Sequence, residues 1–238
     1  MFNKIIAIIL IFIMLASVAY GDVSNYSFDI MKDSAFSTPV YVNDSGNDGK
    51  TILIIGGVHG NEPAGFHAAE ELIDYTPKNG ILVVIPKANI VACNNNNRTE
   101  YYMDDLNRSF IGSESGGIAH RLAWEIVNVI KEYKPSMIID LHESRGEYDE
   151  STGYIGQSII ISEIDSPESV DIAFLVIDKL GFTVLSGAPE GSLNKEVSET
   201  LNIPVITIET SANQELDKRV SQQLSIIKTI LNYYEMED

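Results

Sequence analysis

Three apolar runs in this chain of 238 residues end on side chains that can hold a metal or move a proton. TILII (51–55) leads into GGVHGNEPAG, which carries His59 and Glu62; SMIIDLH (136–142) ends on His142; IPVITIE (203–209) ends on Glu209. Two neutral imidazoles and one carboxylate form the ligand set of a catalytic zinc site, with the fourth position left for water. A further carboxylate, kept off the metal, takes the proton from that water, and Glu209 suits that role. One Zn2+ per chain is the expected cofactor. Acidic residues number 34 of 238, so the His59–Glu62 spacing decides nothing alone. On the residues alone, an accidental placement of His and Glu at three strand ends stays open. So does a competing class, a zinc-containing module that holds carboxylates without turnover, although Glu209 speaks against it.

The chemistry requires that the three ends meet, and the surrounding pattern provides for this. TILIIG (51–56), GILVVIP (80–86), SMIIDLH (136–142), SIIIS (158–162) and IPVITIE (203–209) read as buried strands. Helices are predicted at 63–75, with Pro63 in the first turn, and at 117–133, 168–180, 195–201 and about 214–234. Apolar strands alternating with helices imply a single α/β domain in three layers, its mixed sheet parallel in the centre and covered on both faces. Ligands of such sheets sit outside the carboxyl ends of the strands. The glycines around His59 let the chain turn sharply there and aim two ligands at one point.

Between the ligand segments lies a long polar stretch, 87–116, expected to be a functional loop. It holds Arg98 in NNNNRTE and the adjacent Asn107 and Arg108 in DDLNRSF. A guanidinium clamps a carboxylate through paired hydrogen bonds, and an asparagine adds a donor. The alternative is that Arg108 pairs with Asp104 or Asp105 on a solvated loop. Asp140 shares a strand side with His142 and can orient it from behind, whereas Glu143 points away and ranks below Glu209 as the base. His67 and His120 sit in helix patterns as surface or packing residues. Cys93 reads as an incidental thiol.

The composition bounds the partners. Sixteen Lys and Arg against 34 Asp and Glu give a formal net charge of −18, which excludes nucleic acid or an anionic membrane surface as the main partner. The single cysteine excludes an intramolecular disulfide and a cysteine-rich metal site. Residues 1–21 read as an export signal: Lys4 precedes an apolar run over 5–20, and small residues follow at cleavage spacing. That run is shorter than the roughly 20 residues of a spanning helix; an uncleaved membrane anchor is the alternative. Either reading expects a secreted or extracytoplasmic protein. Residues 22–50 read as a polar, irregular segment and 51–238 as the hydrolase domain.

HGNE, DLNR followed by Phe110, DLHES and the strand ending in TIE resemble, in that order, the motifs of the zinc carboxypeptidase superfamily, with the succinylglutamate desuccinylase/aspartoacylase group as the nearest branch. The resemblance covers about residues 51 to 215. It implies a zinc-carboxypeptidase-like fold, zinc held by His59, Glu62 and His142, and Glu209 as general base. It further implies Asn107 and Arg108 on a substrate carboxylate and Arg98 polarising the scissile carbonyl, although Arg98 stands further from the Asn-Arg pair than is usual in that branch. No tyrosine matches the substrate-capping tyrosine of the carboxypeptidases; Tyr148 and Tyr154 are the candidates. The chain ends one helix after Glu209, so the β-domain that narrows the acylase pocket is expected to be missing. The expected activity is cleavage of an amide bond near a free carboxylate, by a carboxypeptidase or amidase acting on short or wall-derived peptides. Deacylation of N-acyl amino acids is the runner-up.

Overall fold

The computed structural model describes residues 22–237, so the export-signal expectation lies outside the described residues. Eight strands among them form one sheet in the order β1-β2-β4-β3-β5-β8-β6-β7. The centre consists of β3 (Thr51–Ile55), β4 (Ile81–Ile85), β5 (Met137–Ser144) and β8 (Val205–Ser211), all parallel. On one side lie β2 (Thr38–Asp44) and β1 (Ser24–Ile30), paired antiparallel. On the other lie β6 (Ser158–Ile161), antiparallel to β8, and β7 (Thr183–Ser186), parallel to β6.

Side-chain alternation along the strands divides the core into two layers. Ile52, Ile54, Met137, Ile139, Ile206 and Ile208 pack with α1 (Pro63–Glu70), α4 (Pro167–Leu180) and α6 (Leu216–Tyr233). Their neighbours Leu53, Ile55, Ile138 and Val205 pack on the opposite face with α3 (Ile118–Tyr133) and α5 (Leu193–Leu201). Strands buried on both faces have no polar side, which is why they read as continuous apolar runs. The same alternation puts Asp140, His142, Thr207 and Glu209 on the α3/α5 side, where β5 and β8 run past the core.

The segment 22–50 corrects one expectation. It is not irregular but supplies β1 and β2, and β2 pairs with β4, so these residues belong to the domain. Thr38, Val40 and Val42 are buried while Pro39 and Tyr41 between them are only partly so. That period-2 signal is diluted by Asn, Asp and Ser, as expected of strands near a solvated edge. The stretch 87–116 is not one loop either: it contains α2 (Ile90–Asn95) and a 3₁₀ turn over Leu106–Arg108. Helix α1 stops at Glu70 rather than Tyr75, and the chain continues in i→i+3 turns from Ala69, Glu70 and Leu72. Strand β7, only four residues at the sheet edge, went unpredicted.

Candidate active site

The strand ends converge. After β3, Gly57 takes φ +66°, and a Cβ on Gly60 would lie 2.0 Å from the backbone carbon of Ala92 in α2. Only glycine permits that approach, and it folds the segment back so that His59 and Glu62 face β5. His142 meets them from β5. Its Nδ1 is 2.8 Å from Glu62 Oε2 and 3.1 Å from His59 Nδ1, and His59 Nδ1 is 2.9 Å from Glu62 Oε1. All three residues are buried, and their ligand atoms lie within 4.8 Å of one another. Two ring nitrogens facing each other across a carboxylate repel unless a proton or a cation lies between them. The donor set therefore fits a divalent metal.

Carboxylates also stand behind both imidazoles. Asp140 Oδ2 lies 3.0 Å from His142 Nε2, and Asp105 Oδ1 lies 3.1 Å from His59 Nε2. Such partners fix the tautomer and orientation of a ligating histidine. The charges interlock. Burial alone would raise the Glu62 carboxyl, but His59 and His142 outweigh it and hold it well below the usual carboxylate range. Burial alone would lower His142, but Asp140 and Glu62 raise it well above an ordinary imidazole. Asp105 is likewise held low against its burial, by His59 and Arg98.

Glu209 is His142's direct partner in the β5–β8 register and faces the same cleft. Burial, followed by the charges of Glu62, Asp140 and Glu143, pushes its carboxyl up to about 8, with His142 opposing. Glu143, the next residue after His142, also borders the cleft, but its carboxylate is engaged with Ala64 and Arg219.

A cleft of ≈ 490 Å³ opens over these groups and is also lined by Arg98, Asn107, Arg108 and Tyr154. Arg98 donates through Nε and Nη2 to Asp105 Oδ2 at 3.1 and 3.0 Å, and its Nη1 is 3.5 Å from Glu62 Oε1. Asn107 accepts the Leu193 N–H at the start of α5 at 3.0 Å, which leaves its amide nitrogen for the cleft. Arg108 does not pair with Asp104 or Asp105; it donates to the Asn107 carbonyl at 2.6 Å and makes no ion pair among the described residues. Of the two tyrosines considered, Tyr154 lines the cleft, while Tyr148 is 53% exposed and bonded to Glu150. His67 pairs with Glu70 away from the site. Cys93 is buried beneath Gly57, and burial pushes its thiol up to about 12, an unreactive state.

Two charged groups of the site escaped the sequence reading, Asp105 behind His59 and Arg145 in the cleft lining. Asp105 was considered only as a partner of Arg108. Arg145, three residues after His142, lines the cleft, is exposed, and has no ion-pair partner among the described residues. An arginine at a strand's carboxyl end in so acidic a chain was the available signal.

A model of the succinylglutamate desuccinylase/aspartoacylase catalytic domain matches residues 48–233. The chain belongs to that family. Over 113 residues it is 33% identical to an N-alpha-acetyl-L-2,4-diaminobutyric acid deacetylase from Halomonas elongata, a match covering 45% of this chain and 32% of that protein. The chain thus spans about a third of the curated relative's length. The product-bound ectoine utilization protein EutE from Ruegeria pomeroyi superposes with a TM-score of 0.71 at 18% identity, over 93% of this chain and 71% of that one. A tripeptide-bound cell shape determinant protein from Helicobacter pylori gives 0.66 at 20% identity, over 79% and 52%. At these identities the structural likeness concerns the fold, and it agrees with the expected three-layer architecture.

Proposed function

We propose that the protein is an exported zinc-dependent hydrolase that cleaves an amide bond near a free carboxylate, with short peptides as its substrates. The observation that carries this reading is the convergence of His59, Glu62 and His142, with Glu209 beside His142, in one cleft with an uncommitted Arg108. Bound there, zinc would polarise the scissile carbonyl and lower the pKa of a water to about 7. Glu209 takes the water's proton and later delivers it to the leaving amine. Arg98, anchored by Asp105 at the ligand cluster, faces the carbonyl oxygen. Asn107 and Arg108 hold the substrate carboxylate.

Two arginines of the cleft support a substrate with anionic groups. Glu62 and Asp140 lie against the histidines of the ligand cluster, Glu143 is paired with Arg219, and Glu209 is the carboxylate left for proton transfer. Arg108 and Arg145 have no ion-pair partner among the described residues, in a chain of net charge −18. Their guanidinium groups are therefore left for the substrate. Arg108→Ala should weaken substrates with a free carboxylate by roughly 10- to 150-fold more than the same substrates amidated there, the range of a charge-assisted contact of about 1.5–3 kcal/mol. Arg145→Ala should show that selectivity only toward a second acidic group. Equal losses on matched substrates would make either arginine structural.

The apolar N-terminal run supports export, which would place the protein among wall-derived and scavenged peptides; a peptide with γ-linked or D-residues fits that setting. Deacylation of N-acyl amino acids is the second reading, favoured by the similarity to the Halomonas deacetylase. Comparing kcat/KM across wall peptides, ordinary di- and tripeptides, and N-acetyl- and N-succinyl-amino acids decides between them. A preference of about tenfold or more for the simple N-acyl compounds, about 1.4 kcal/mol, would replace the peptide reading.

A further inference from the structure

We propose that Glu143 and Arg219 form a positioning pair that holds the candidate ligand Glu62 in aim and ties the metal site to helix α6. The inference rests on the metal-site reading above. Glu62 occupies the N-cap position of α1 but makes no capping bond, because its carboxylate is turned toward His59 and His142. Pro63 has no N–H, so the first orphan donor of the helix is that of Ala64. Glu143 supplies the missing cap from β5: its Oε2 accepts the Ala64 N–H at 2.9 Å. Its backbone N–H donates to Glu62 Oε2 at 3.1 Å. One residue thus fixes both the helix that carries Glu62 and one oxygen of Glu62 itself.

Glu143 needs a partner for this, because its side chain is only 2% exposed. A carboxylate buried to that extent is costly unless a cation and hydrogen bonds satisfy it. Arg219, in the first turn of α6, ion-pairs with Glu143 Oε1 and is itself only 11% exposed, with Nε buried and unbonded. That guanidinium lies outside the cleft and faces no substrate. Its effect on the metal runs through Glu143 alone.

The test is zinc affinity of the full chain by competition with a chromogenic chelator, together with the absorption spectrum of the cobalt-loaded protein. Arg219→Met should lower affinity by about 10- to 100-fold, the usual loss when a residue supporting a metal ligand is removed. It should also alter the cobalt spectrum, and Arg219→Lys should recover part of both. The control is Lys87→Met, which removes the cation paired with Glu70 at the far end of α1; it should leave affinity and spectrum unchanged. Glu143→Gln keeps a capping oxygen but loses the ion pair, and should change the spectrum even where Arg219→Met fails to fold. Parent-like affinity and spectrum in Arg219→Met or, where that variant does not fold, in Glu143→Gln would overturn the proposal. So would losses equalled by Lys87→Met. A parent chain that binds no zinc or cobalt would instead remove the metal-site reading.

Discussion

Glu209→Gln is expected to retain about one zinc per chain and to lose about 10²- to 10⁴-fold in turnover, the range attributed to a general base. Glutamine keeps the volume and an acceptor oxygen but cannot take a proton. The environment of Glu209 makes the prediction sharper. Burial and three nearby carboxylates push its carboxyl up to about 8, against the pull of His142. A divalent cation at the ligand cluster favours the ionised form and draws that value down. Metal binding therefore makes the ionised base more available at a given pH. Because the reactive form is deprotonated, kcat/KM should rise with pH through this pKa, and the acid limb should vanish in Glu209→Gln. A variant that turns over like the parent, with its acid limb intact, would remove Glu209 from the mechanism. Glu143 is a poor replacement, since both its oxygens are committed to Ala64 and Arg219.

The legibility of this site follows from strand geometry. β5 and β8 are buried on both faces, so their apolar runs announce them, and their carboxyl ends mark where ligands sit. The period of two then sorts neighbours without any coordinates: Asp140 falls with His142, and Glu143 falls opposite. Groups that reach the site from elsewhere leave no such trace. Asp105 arrives on a 3₁₀ turn, where no periodicity says which way a side chain faces. Arg219 lies 76 residues from Glu143 on a helix otherwise read as ordinary packing. β1 and β2 were missed for another reason. Their alternation is real, but strands near a solvated edge carry Asn, Asp and Ser that resemble turn composition.

The second large effect is loss of the metal. His59→Ala or His142→Ala should reduce zinc from about one per chain to a small fraction of that, because a three-residue site keeps few alternatives when one imidazole goes. Activity should fall with it. A thermal readout separates this from misfolding. A ligand that binds only the folded state stabilises it by about 4.1 kcal/mol at 1,000 times its Kd, so zinc should raise the Tm of the parent but not of either variant. The pH dependence has a definite sign. Against its burial, Asp140 and Glu62 raise His142 well above the ordinary imidazole range. The metal needs the neutral ring and must displace its proton. Zinc affinity should therefore increase with pH, and the zinc-dependent rise in Tm should shrink as pH falls. His59 and Glu62 stay together in His142→Ala, but the proton competition centred on His142 is gone, so any residual binding should show a shallower pH slope. Full zinc content in both histidine variants by elemental analysis, with the parent's Tm response to zinc, would place the metal elsewhere in the molecule.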